Sequence, residues 1–143
     1  MKKAGGSITI NAPIKKIFDY INEPTNQPEF WPSLMEIKDV QRLPDGKTNS
    51  RWVYKMAGIR FEGTSEDVEV VANQRIVSKT KGGVESTQTW MFQPEGDETK
   101  VTLEIEYTIP IPLLGKLAEA IIVKMNEHEG ETILANLKSR MEI

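Results

Sequence analysis

The chain has 143 residues, with 18 Lys and Arg against 21 Asp and Glu for a formal net charge of −3, one histidine and no cysteine. That length suits one domain over residues 1–143 with a core that needs no staple, and a mildly acidic chain without long blocks of one sign lacks the electrostatic footprint of a nucleic-acid partner. The missing cysteines exclude thiolate nucleophiles and cysteine metal sites, and a lone His128 excludes a multi-histidine one, so no metal or cofactor is expected.

In chain order, Met1-Lys2-Lys3 leads into Ala4-Gly5-Gly6-Ser7 rather than the apolar stretch of a signal peptide. No run approaches the roughly 18–20 apolar residues of a membrane span, which makes the cytoplasm the expected compartment. Ser7–Asn11 alternates polar and apolar residues and predicts a short strand with Ile8 and Ile10 on one face. Asn11 can cap a helix, Pro13 suits a first turn, and Ile14, Ile17, Phe18 and Ile21 follow at helical spacing. The proline-rich stretch from Asn22 to Pro32 predicts an elbow with at most one more helical turn.

From Leu34 to about Ile109 the period is two, divided by turn signals into six strands. Trp52, Tyr54 and Met56 share a face, as do Phe61 on the next strand, Trp90 and Phe92 further on, and Val101, Leu103, Ile105, Tyr107 and Ile109 on the last. Val68 and Val70 fall out of phase with Ile59 and Phe61, which predicts a bulge near Ser65–Asp67. After Pro110-Ile111-Pro112, the segment from Leu113 to about Met141 contains no proline and many good helix formers, so one long helix closes the chain.

Three stretches, taken in this order of elements, resemble the START/polyketide-cyclase superfamily, whose helix-grip fold is shared with the birch-pollen allergen group. Ile10-Asn11-Ala12-Pro13-Ile14-Lys15-Lys16-Ile17-Phe18-Asp19-Tyr20-Ile21 resembles its opening strand-to-helix junction. Pro28-Glu29-Phe30-Trp31-Pro32 is similar to its tryptophan-containing elbow, and Trp90–Val101 to the hairpin before its last strand. The resemblance implies an α+β helix-grip fold: a seven-stranded curved antiparallel sheet wrapped around the C-terminal helix, with two short helices between strands 1 and 2 and an apolar cavity inside. It also implies a small apolar partner (lipid, isoprenoid, quinone or polyketide-like), bound or carried, or else cyclised and dehydrated by an enzyme. Fold alone does not choose between them, and the sequence leaves the oligomeric state open.

On a helical projection, Leu117, Ala118, Ile121, Ile122, Met125 and Ile133 form one arc that contains Glu129, Thr132 and Asn136. A carboxylate on an apolar face needs either an inward Arg or Lys or a solvated cavity, unless the helix is simply exposed there. His128 lies about 20° from Ile121 on the same projection, near the edge of the arc, and with Glu129 is the only candidate for acid–base work; the enzyme reading lacks a second titratable group converging on the first. The expected lining is Trp31, Trp52, Tyr54, Met56, Phe61, Trp90, Tyr107, Ile121 and Met125, with Glu129, Thr132 and Asn136 as polar groups and Trp31 placed to guard a mouth or to pack the elbow.

Overall fold

The computed structural model describes residues 1–143. Seven strands, β1 (Lys2–Ile10), β2 (Leu34–Arg42), β3 (Thr48–Met56), β4 (Ile59–Val71), β5 (Arg75–Gly82), β6 (Ser86–Glu95) and β7 (Glu98–Tyr107), form one antiparallel sheet in the order β1-β7-β6-β5-β4-β3-β2. Helix α1 (Ile14–Ile21) and a 3-10 turn over Pro24–Glu29 join the two edge strands, and α2 (Lys116–Met141) packs against β1 and closes the curved sheet. This is the helix-grip arrangement that the resemblance implies.

Ile17, Phe18 and Ile21 of α1 are buried, as their spacing requires, with Phe18 edge-on to Phe92 at 5.4 Å. Asn11 does not cap α1, however. Pro13 holds the N-cap position without a side-chain bond, and the Asn11 N–H instead donates to Glu142 at 2.7 Å. The first strand begins at Lys2 rather than Ser7, because β1 pairs with β7 from Lys2↔Tyr107 to Ile10↔Thr99. Gly5 and Gly6 hide it from propensity, since glycine is a poor strand former.

Glycine at position 5 has a steric cause. Its φ is +121°, and a Cβ there would stand 2.0 Å from the Leu103 carbonyl oxygen. Gly130 of α2 lies directly over it, where a Cβ would come 2.9 Å from the Gly5 nitrogen, so helix and strand meet backbone to backbone.

The bulge in β4 falls between Asp67 and Glu69, at the far end of the expected window. Asp67 there accepts from the Thr48 N–H and hydroxyl and from the Ser78 hydroxyl, at 2.8–2.9 Å, pinning β4 to both neighbours. Edge strand β2 is interrupted twice, between Leu34 and Glu36 and between Lys38 and Gln41, with Asp39 left-handed at φ 54°.

Helix α2 begins at Lys116, three residues later than its composition suggests, after Leu113 at φ 56° and a Gly115 N-cap. Its inward face is Ile122, Gly130, Ile133, Leu134, Leu137 and Met141. The projected arc is therefore rotated: Leu117, Ile121 and Met125 are 77, 55 and 53 % exposed. Leu134, Leu137 and Met141, which the projected arc leaves out, are buried on this face, and Gly130 lets it meet Gly5 closely.

Candidate functional site

Between α2 and the concave face of the sheet lies a cavity of about 80 Å³. Its walls combine the apolar side chains of Leu34, Ile37, Met56, Val84, Ile105 and Ile133 with the aromatic rings of Trp31, Trp52, Tyr54 and Tyr107. Ser65, Thr80, Ser86 and Gln88 supply polar atoms from the sheet, Gln27 from the elbow, and Asn126 and Glu129 from α2. No Lys, Arg or His is among the lining residues, so Glu129 is the one formally charged group on the wall.

Glu129 is the polar centre. Trp31 Nε1 donates to its Oε1 at 3.2 Å and the Tyr54 hydroxyl to the same oxygen at 2.6 Å, while the Ser33 hydroxyl donates to Oε2. Of the alternatives read from the sequence, an inward cation, a cavity or an exposed helix, the carboxylate meets the cavity, and three neutral donors fix it there. Each donor comes from a different local cause: Trp31 from the elbow that Pro32 ends, Ser33 from the link into β2, Tyr54 from the inward parity of β3. At the neighbouring turn of α2, Asn126 Nδ2 donates to the Tyr107 hydroxyl at 2.9 Å. The indole N–H of Trp52, itself buried, has no partner within the protein.

Of the residues expected in the lining, Trp31, Trp52, Tyr54, Met56, Tyr107 and Glu129 converge on the cavity. The others do not. Trp90 packs edge-on to Phe30 at 6.1 Å in the core beneath α1, and Phe61 is only half-buried against the core. Ile121 and Met125 face outward, for the reason given above. Thr132 bonds back to the His128 carbonyl, and Asn136 Nδ2 donates to the Phe30 carbonyl at 3.2 Å, tying α2 to the elbow. The His128 side chain is 82 % exposed beside Glu131 and stands outside the cavity. Ser33 and Asn126 were not singled out in the sequence. Asn126 was legible in the series Ile122, Asn126, Glu129, Ile133, Leu137, which keeps helical spacing along one edge of the projected arc.

All three tyrosines of the chain hold their protons more firmly than a free phenol. Burial pushes Tyr54 well up, and the adjacent Glu129 carboxylate adds to this. Burial and the bond to Glu29 raise Tyr20 to about 12, and burial raises Tyr107 despite the opposing bond from Asn126. Their stabilisation is therefore complete below the unfolded value of about 10 and is lost as pH climbs beyond it. In a 295 nm absorbance titration at about pH 10.5, the folded protein should show little tyrosinate and the urea-unfolded chain more than half. Equal signals from the two states would contradict this environment.

In the comparisons with known proteins, the family model described as polyketide cyclase / dehydrase and lipid transport matches residues 1–142. No curated protein matches the chain. Among solved structures, the chain is similar to TTHA0849 of Thermus thermophilus at 23 % identity and TM-score 0.84, covering 97 % of this chain and 96 % of that one. It is similar to a START superfamily protein from Mycobacterium smegmatis at 16 % identity and TM-score 0.81, over 99 % and 98 % of the two chains. The Zhui aromatase/cyclase from Streptomyces sp. R1128 is similar at 12 % identity and TM-score 0.74, over 97 % and 94 %. At these identities the structures show a common fold.

Proposed function

The chain belongs to the polyketide cyclase / dehydrase and lipid transport family, and from that premise we propose that it binds a small, largely apolar molecule in the cavity between α2 and the sheet and carries or sequesters it. The observation that supports this most directly is an aromatic-walled space with one carboxylate fixed at its side by three donors. Binding sites are built this way: apolar walls with few, well-placed polar groups. At about 80 Å³ the cavity holds a few waters, whereas ligand sites usually offer about 300–1,000 Å³. Room for a ligand of that size therefore requires α2 to yield. Its first half is the part able to do so, being held by Ile122, by Asn126 on Tyr107 and by the Lys2–Glu119 ion pair at 2.5 Å.

A catalytic reading has one observation in its favour. Tyr54 and Glu129 form a titratable pair on the cavity wall, with the 2.6 Å bond that proton transfer would use. Carriage is favoured over it because the Tyr54 proton is strongly retained and Glu129 already accepts three bonds, which makes a fixed anchor rather than a poised base.

An apolar fluorescent probe tests the proposal. It should bind the folded protein at about one per chain with blue-shifted emission. Ala4→Leu, which adds three carbons at the wall, should weaken it about tenfold or more, a shift of about 1.4 kcal/mol. Emission that ignores the folded protein and rises only on partial unfolding would mean that the interior is a filled core.

A further inference from the structure

On the reading of this cavity as a ligand site, we propose that its ligand carries a protonated amine on an apolar body, and that carboxylates and phosphates are rejected. The argument begins with charge. Glu129 brings a negative group to a wall that contains no Lys, Arg or His, and its partners Trp31, Ser33 and Tyr54 are dipoles that orient the carboxylate without cancelling its charge. An anion entering this space meets a like charge in a medium of low dielectric, where repulsion is several times stronger than in water. An ammonium meets the opposite.

Geometry agrees with charge. Oε1 takes two of the three bonds and Oε2 only one, and a carboxylate offers about four lone-pair directions, so Oε2 can accept one more donor. Asn126, one turn back along α2, spends its Nδ2 on Tyr107 and keeps a carbonyl oxygen for a second ammonium N–H. The aromatic rings seat the ligand's apolar body: Trp52 and Tyr54, edge to face at 6.5 Å, line the cavity with Trp31. The unpartnered Trp52 N–H further suits a neutral oxygen on the ligand's body.

Four molecules with one apolar body decide it: benzylamine, benzyl alcohol, benzoate and toluene, titrated at pH 7 into the full chain while the tryptophan indole N–H signals are followed by NMR. Benzylamine should bind more than about tenfold tighter than benzoate, with benzyl alcohol between. In Glu129→Gln the amine-to-acid ratio should fall to within about threefold of one. Benzoate binding as tightly as benzylamine to the unaltered protein overturns the inference while toluene binding preserves the cavity; so does a preference that survives in Glu129→Gln. Failure of all four, toluene included, overturns the cavity reading and the inference together. Because the ranking is read on the unaltered protein, a variant that did not fold would leave the test standing.

Discussion

Gly5→Ala should be among the most damaging single changes in the chain, with a loss above about 3 kcal/mol out of the roughly 5–15 that hold an ordinary domain together. The methyl group has nowhere to go. At φ +121° its carbon would stand 2.0 Å from the Leu103 carbonyl oxygen, on the strand that β1 must pair with, and Gly130 of α2 sits on the same backbone. Relief requires β1 to part from β7 or α2 to lift off, and either opens the core at Leu103 and Leu134, both buried. Gly46→Ala supplies the control, because Gly46 is also left-handed, at φ +87°, but has open space around it. That change should cost about 1 kcal/mol from backbone strain alone. Urea unfolding curves compare the two, and a Gly5→Ala protein as stable as Gly46→Ala would show that the strand–helix contact is looser than described.

The second large effect separates the charge of Glu129 from its role as an acceptor. Glu129→Leu strands Trp31 Nε1, the Ser33 hydroxyl and the Tyr54 hydroxyl at once. Each buried donor left without a partner costs about 1–3 kcal/mol. Water admitted to the cavity offsets part of this, so the expected loss is about 3 kcal/mol in total. Glu129→Gln retains an amide oxygen for Trp31 and Tyr54 and offers an N–H to the Ser33 oxygen, and should change stability by about 1 kcal/mol or less. Denaturant melts followed by tryptophan fluorescence report both. If leucine proved as harmless as glutamine, the three bonds would be incidental to the fold.

These contrasts also show what was legible beforehand. Strands β2 to β7 could be read because alternation of two is unambiguous where one face is buried, as in Val101, Leu103, Ile105 and Tyr107. The start of β1 was hidden because Gly5 and Gly6 have no side chains to alternate; their reason for being glycine lies on β7 and α2, far along the chain. The rotation of α2 has a related cause. Leu117, Ile121 and Met125 draw a projection to one side of the helix, whereas Leu134, Leu137 and Met141 of its second half are buried on the side that carries Gly130. Glu129 stood out because a carboxylate near apolar neighbours invites explanation. Its partners did not, since Trp31, Ser33 and Tyr54 come together only when β3, the elbow and α2 are assembled.

The two interruptions in β2 bear on how molecules of this protein meet one another. A sheet open at both sides offers two rows of unpaired amides and carbonyls, each a template on which a neighbour's strand can grow. Here one side is β1, shielded where α2 packs against it, with Lys138 bonded to the Thr9 carbonyl at 2.9 Å. The other is β2, where the irregular stretches at Leu34–Glu36 and Lys38–Gln41 and the left-handed Asp39 break the straight row, and Glu36, Lys38, Asp39 and Arg42 place charge along it. An incoming strand would find neither a continuous ladder nor a neutral surface. The sheet thereby keeps its most adhesive backbone out of reach of neighbouring molecules.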